Sequence, residues 1–321
     1  AASGSSVQRG LTYIEANDRV HTTSRTYGDV LAETGELGGS AFIGGISGAR
    51  AFNLDPYVVH FPQPNVTGAV TAPAVADVYV NGILVRQVDL PPGNFNLANV
   101  PATSGNVNTK VVVTDAFGHV QTFSQSYYSS TDVLLPKTSD FEYAAGLIRE
   151  NAFAKGDRYG PAALLGRYRF GLNNELTLGG RFEASAGLVS FGPSADFRLP
   201  VGLFHAGLAF SRDYGLSGAG LSLGYSYSAP RFGFQVQVLD QTPYYANISQ
   251  AATSDRTLES FSAAVTSQVS KRSNASIEFF RRADRDSGVN AGVAVTDTLQ
   301  FRKFSLSVTG TRSFSTTGAP Q

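Results

Sequence analysis

Residues 162–185 read AALLGRYRFGL-NN-ELTLGGRFEAS. In the first half, Leu164, Tyr168, Phe170 and Leu172 share one face of an extended chain. Leu165, Arg167 and Arg169 share the other. Asn173-Asn174 marks a turn. The second half divides Leu176, Leu178, Phe182 and Ala184 from Glu175, Thr177, Arg181 and Glu183. Successive side chains of a strand point to opposite faces, so a period of two marks a strand with unlike faces. The same division continues outward. In 189–199 it separates Val189, Phe191, Ala195, Phe197 and Leu199 from Ser190, Ser194, Asp196 and Arg198. In 301–311 it separates Phe304, Leu306 and Val308 from Lys303, Ser305, Ser307 and Thr309. Eleven strands are predicted after residue 140: 141–150, 161–172, 175–185, 188–199, 201–212, 217–228, 231–240, 258–270, 274–283, 289–298 and 301–312.

Their length matters. Strands of ordinary sandwiches run about 5–6 residues, whereas a tilted strand crossing a bilayer needs about 9–11. Aromatic residues sit towards several strand ends (Tyr225 and Tyr227, Phe232 and Phe234, Phe279 and Phe280), as in the interfacial girdles of a membrane barrel. One face is aliphatic and aromatic; the other carries Arg, Glu, Ser and Thr. Lipid outside and water inside accounts for both. The alternative is an antiparallel sheet with one solvated face and one face on a core. It needs a partner surface for eleven long apolar strips, and no helical segment supplies one. No apolar run approaches the ~20 residues of a spanning helix, so entry into a membrane requires a closed barrel.

Composition narrows the function. Among 321 residues, 25 Lys and Arg balance 25 Asp and Glu, which argues against a nucleic-acid partner. The absence of Cys removes disulfides, thiolate chemistry and Cys-ligated metals. There is no Met, so the numbering is expected to start at a processed or truncated end, and AASGSS carries no signal-peptide features. His21, His60, His119 and His205 are scattered, without metal-ligand spacing. No G-x-S-x-G elbow occurs. Gly218-Ala-Gly220 lacks the strand–helix setting of a dinucleotide site. The run 281–288, RRADRDSG, reads as an inter-strand loop, with Ca²⁺ binding as a remote alternative. No enzyme activity, cofactor or metal is expected.

Residues 60–135 have a different texture, with short strands and tight turns. Asp77 to Val80 leads into Asn81-Gly82 and then Ile83 to Val85, a strong hairpin signal because both turn positions need positive φ. A Pro91-Pro92-Gly93 loop follows. Lys110 to Val113 forms another strand, and Asp115 to Gly118 turns the chain. This reads as a β-sandwich of six or so strands, bounded by Pro62, Pro64, Pro73 and Pro136. Residues 20–27 alternate again, and the Gly-rich 41–52 suits a strand or a hairpin. The expected organisation is early barrel strands in 1–58, an inserted sandwich in 59–134, and barrel strands in 135–321. The fold class is all-β: a partial transmembrane antiparallel β-barrel with an inserted β-sandwich.

The insert resembles a known module. Val78-Tyr79-Val80-Asn81-Gly82, then Val88 to Phe95 with Pro91-Pro92-Gly93, then Val111 to Gly118 with Asp115, is similar to the plug domain of fimbrial outer-membrane ushers of the chaperone–usher pathway. Phe141-Glu-Tyr-Ala-Ala-Gly146 with Arg149 looks like the first barrel strand after that plug. Tyr27-Gly28-Asp29 looks like the family's Gly-Asp segment. The resemblance implies a very large barrel in the outer membrane of Gram-negative cells, lipid-bound, with a plug in its lumen. Folded pilus subunits, delivered as periplasmic chaperone–pilus subunit complexes, would pass outward without nucleotide or cofactor. The driving force would be subunit folding and donor-strand exchange. A complete usher has further periplasmic domains that are not visible here, so the chain reads as an internal fragment.

Tyr79, Asn81, Gly82, Pro91, Pro92, Gly93, Phe95, Asp115 and Gly118 mark the plug. Their plain structural reading is sandwich core for Tyr79 and Phe95, and turn geometry for Asn81, Gly82, Pro92 and Gly93. Arg167, Arg169, Arg181, Glu183, Asp196 and Arg198 are the expected lumen-facing charges. They either hold the plug or simply keep the lumen wet. Two other function classes stay open: a passive porin or plugged uptake receptor, and a soluble β-sandwich adhesin.

Overall fold

The computed structural model describes residues 9–101, 104–150 and 158–316. Three strands precede the insert: β1 Tyr13–Asp18, β2 Thr23–Glu33 and β3 Ser40–Arg50. Six form it: β4 Val66–Val70, β5 Ala74–Val80, β6 Ile83–Leu90, β7 Gly93–Leu97, β8 Gly105–Asp115 and β9 Val120–Ser129. Eleven follow: β10 Ser139–Glu150, β11 Arg158–Gly171, β12 Leu176–Ser185, β13 Leu188–Leu199, β14 Gly202–Asp213, β15 Leu216–Ala229, β16 Phe232–Gln241, β17 Thr257–Ser270, β18 Ser273–Asp284, β19 Gly288–Gln300 and β20 Ser305–Thr316.

Fourteen strands form one antiparallel sheet in the order β1-β2-β3-β10 and onward to β20. β1 and β20 are its two edges, so among the described residues the barrel wall is open. β3 pairs directly with β10, Ile43 opposite Ile148 and Ala49 opposite Glu142. The wall therefore runs on as though the insert were a turn between neighbouring strands.

The wall is inside out relative to a water-soluble sheet. Leu164, Leu178, Val189, Phe191, Leu208, Phe210, Leu223 and Ile277 are about half exposed on one face. Thr177, Glu183, Ser190, Asp196 and Ser222 are buried on the other. Such a continuous apolar surface in water would invite association, whereas in hydrocarbon it is already at home. The outer face is also packed along its own surface. Tyr143 and Phe182 stack across β11 with ring centroids 6.4 Å apart. Gly166 lies between them, and a Cβ there would come within 2.4 Å of the Phe182 ring and 2.6 Å of Tyr143. A glycine in mid-strand is the cost of that contact.

The insert is the reverse, with a dry apolar core. β5 turns Ala74, Ala76, Val78 and Val80 inward, where Val107, Val111, Val113, Phe95 and Leu97 meet them. Its strands form a four-stranded sheet, β6-β5-β8-β9, and a two-stranded one, β4-β7. Phe95 meets Phe123 edge to face at 5.4 Å between the two layers.

Three details differ from the sequence expectation. The insert's strands are not all short: β8 has 11 residues and β9 has 10. β5 pairs only with Thr109–Asp115 of β8, so residues 105–108 continue as a two-stranded ribbon with 126–129. The last strand begins at Ser305 rather than 301. Phe301 and Phe304 instead close a turn, with the Phe301 N–H donating to the Phe304 carbonyl at 2.9 Å and the rings stacked at 4.7 Å. Alternation from residue 20 also begins too early. Thr22 has φ 48°, inside a turn, and β2 starts at Thr23.

Candidate pore lining and plug seat

Antiparallel alternation sorts the connections into two rims. The tethers of the insert leave from Arg50 and return at Ser139, on the rim that also carries the tight turns near 173–175, 200–201 and 230–231. The opposite rim carries the longer loops 34–39 and 242–256.

The overhanging ribbon of the insert rests on the inner wall near the first rim. Arg198 Nη1 donates to the Tyr128 carbonyl at 3.1 Å, and its guanidinium lies 4.3 Å from the Tyr127 ring centroid. Arg198 is fixed from behind by two bonds to the Asn174 carbonyl, at 3.0 and 2.9 Å. Asn106 Nδ2 donates to the Tyr227 hydroxyl at 3.1 Å, and Tyr128 Oη donates to the Ser226 carbonyl at 3.2 Å. Tyr128 and Tyr227 stack at 5.8 Å, and both pack with Val133 and Leu203. Burial pushes the Tyr127 and Tyr128 phenols above the ordinary tyrosine value; Arg198 pulls Tyr127 part of the way back. Gly105 permits the close approach: its φ is +107°, and a Cβ would stand 2.8 Å from the Ser228 carbonyl oxygen.

The expected lumen charges all lie on the inner face, where they do different jobs. Arg167 pairs with Asp140 at 3.1 Å and Glu142 at 3.2 Å, within the wall. Arg169 pairs with Asp196 at 3.0 Å and donates to the Asp132 carbonyl on the insert's return tether. Arg198 grips the ribbon, as described. Arg181 and Glu183 point to the opposite rim. Glu183 is buried and joins three elements. One of its oxygens takes the Thr34 hydroxyl and the Gly39 N–H (2.6 Å), and the other takes the Ile248 N–H at 2.8 Å. Arg181 lies 3.4 Å from Glu183 and donates to the Tyr245 hydroxyl.

Both loops of that rim fold inward. Leu37 is buried against Ala209 and Tyr245, and the Tyr245 hydroxyl donates to the Leu37 carbonyl. Wall side chains accept backbone N–H groups of the long loop: Ser211 from Ala246 and Asp213 from Ala252, each at 2.8 Å. Burial pushes the Tyr245 phenol up and the Arg256 guanidinium down. A cavity of about 380 Å³ remains between the 34–39 loop, the wall and Asp132.

The plug-motif residues are architectural. Asn81 and Gly82 have φ 51° and 86°, the pair of positive values that a two-residue hairpin turn requires. Asn81 Oδ1 also accepts the Asn108 N–H at 3.0 Å. Gly93 has φ 128° where β7 begins, beyond the exposed Pro91 and Pro92. Asp115 accepts the N–H groups of Phe117 and His119, each at 2.9 Å, and Gly118 has φ 86°. The His119 hydrogen bond holds the Asp115 carboxyl below its ordinary value. Phe95 is in the core. Tyr79 alternates to the outer face of β5 and is half-buried outside it, because Val78 and Val80 take the inward positions.

The sequence reading missed a further cluster. Asp29 is buried, 2.6 Å from Arg149 Nη1, 2.6 Å from the Tyr159 hydroxyl and 2.9 Å from Arg9. Gly28 before it has φ 123°, and a Cβ there would sit 2.3 Å from the Thr12 carbonyl oxygen. Gly28-Asp29 and Arg149 each carried a separate sequence signal, but nothing in the sequence joined them across the 120 residues between Asp29 and Arg149.

The family profile described as "Outer membrane usher protein" matches residues 23–191, more than half of the chain. The chain belongs to the outer membrane usher family. Its wall is thus part of a β-barrel of the outer membrane of Gram-negative cells. The outer membrane usher protein FimC of Bordetella pertussis is 31% identical over 142 residues, 44% of this chain and 16% of that protein. The outer membrane usher protein YehB of Escherichia coli is 28% identical over 139 residues, 43% of this chain and 16% of that protein. The chain thus spans about a sixth of the length of these usher relatives. The solved translocation pore of the P pilus usher PapC shares the fold, with a TM-score of 0.58 at 18% identity over 95% of this chain and 65% of that one. PapC in a P pilus tip assembly intermediate with PapD, PapK and PapG gives 0.69 at 17%, over 94% and 40%.

Proposed function

We propose that this chain is the plug-bearing part of an usher pore that passes chaperone-delivered pilus subunits outward and assembles them, with the sandwich of β4–β9 as its gate. The observation that carries this reading is how the sandwich is held. It is tethered at both ends to adjacent wall strands, keeps a closed core of its own, and touches the wall mainly through one ribbon end. A module held in this way swings without unfolding, so opening shifts an equilibrium and leaves the fold intact. Its seat consists of a few hydrogen bonds and ring contacts, each contributing on the order of 1 kcal/mol. That suits a gate that must both hold and release. Delivery by chaperone–subunit complexes is supported by the solved assembly intermediate whose fold this chain shares. The chain moves protein; it does not transform a substrate.

Deleting residues 65–130 from the full-length protein tests the gate. Ion conductance in planar bilayers is expected to rise strongly. Unchanged conductance would reject the insert as a plug.

A further inference from the structure

The pore reading assigns no role to His205. His205 on β14 projects into the inner cavity between two carboxylates from different elements. Its Nδ1 lies 2.7 Å from Asp196 Oδ1 on β13, and its Nε2 lies 3.5 Å from Glu36 Oε2 on the tip of the β2–β3 loop. Glu36 Oε2 also accepts the Ser222 hydroxyl, and Asp196 Oδ2 accepts from Arg169, which in turn holds the Asp132 carbonyl on the insert's tether. Arg167 and Arg181 line the same cavity.

The donor count decides the chemistry. Ionised carboxylates only accept hydrogen bonds, and a neutral imidazole has one N–H. The neutral ring keeps its proton on Nδ1 for the buried Asp196 and turns a lone pair towards Glu36. Only the imidazolium serves both. Imidazole is the side chain whose ordinary charge change falls between pH 5 and 8. We propose that His205 is a positioning residue of the rim: a proton-controlled clasp that holds the 34–39 loop inside the lumen when charged and loosens it when neutral. The relay from Asp132 through Arg169, Asp196 and His205 to Glu36 then links the tether of the insert to the opposite rim. Glu183 and Tyr245 hold the same loop without the histidine, so the clasp biases an equilibrium and does not switch it fully.

This inference rests on the pore reading, and the test separates the two. In planar bilayers, the full-length protein is expected to conduct severalfold more current at about pH 8 than at about pH 5.5. His205→Gln is expected to give a flat profile at the higher level. Glu36→Gln, at a half-exposed tip residue outside the wall, is expected to flatten it too. Raising the salt concentration is expected to shrink the wild-type response, because the Glu36 pair is partly open to solvent. The 65–130 deletion runs alongside. If the deletion raises conductance while wild type carries equal current at both pH values, the plug stands and the clasp falls. If either variant keeps the wild-type pH response, another group is responsible and the clasp falls as well.

Discussion

The wall and the insert are built from the same alternation and solve opposite problems. In β5, Val78 and Val80 face a closed core while Asp77 and Tyr79 face out. In β14, Leu208 and Phe210 face out while Ala209 and Ser211 are buried inside. A period of two says only that the faces differ. What lies against each face decides which is in, and one chain uses both answers. Strand length separates them in part, but β8 and β9 show its limit, since two long strands belong to the insert. Their extra length is what reaches the wall.

The contrast can be broken by charge. Val111→Asp places a carboxylate in the insert's dry core, with an expected loss of more than about 4 kcal/mol, enough to unfold it. The wall is expected to assemble all the same, with conductance near that of the deletion and an insert open to protease. An unchanged, protease-resistant insert would refute the assignment of its core. Leu208→Arg puts a cation on the outer face in mid-strand, at an expected cost of about 2–4 kcal/mol to the folded barrel in lipid. Gln237→Arg, on the inner face of β16, is expected to change stability by less than about 0.5 kcal/mol. Equal costs in urea-unfolding titrations in lipid would mean that the faces are assigned wrongly.

Smaller changes sharpen the contact between the two regions. Arg198→Ala is expected to weaken the seat by about 1.5–3 kcal/mol, the range for a hydrogen bond to a charged group. The readout is more frequent opening at unchanged melting of the wall. Asp115 gives the smallest effect. Its carboxyl is held low in the folded insert, so its contribution is full above about pH 4 and is lost as pH falls through the lower folded value. Hydrogen exchange of insert peptides is expected to show this acid dependence in wild type and to lose it in Asp115→Asn.

Much of the fold was legible from residue order. Each of the eleven expected strands meets one strand of the wall, with ends shifted by no more than about four residues. The charged residues of 162–198 were legible as a face, though not by role. Arg167 and Arg198 read alike in the sequence, yet one pairs within the wall and the other grips the insert. Glu183, expected either to hold the insert or to line a wet lumen, is instead buried beneath two loops.

The residues by themselves determined the strands, their two unlike faces and the existence of an insert with tight turns. All of these arise from neighbours within a dozen positions, where alternation and positive-φ turns leave a direct mark. Only the tertiary structure decided that loops 34–39 and 242–256 fold inward, that Asp29 meets Arg149, and that His205 stands between Asp196 and Glu36. Apart from Asp196–His205, which joins neighbouring strands, those contacts join segments far apart in the chain, and no local period encodes which distant side chain will satisfy a buried charge. Burial sets that requirement, and it arises only once the sheet has curved and enclosed a polar interior.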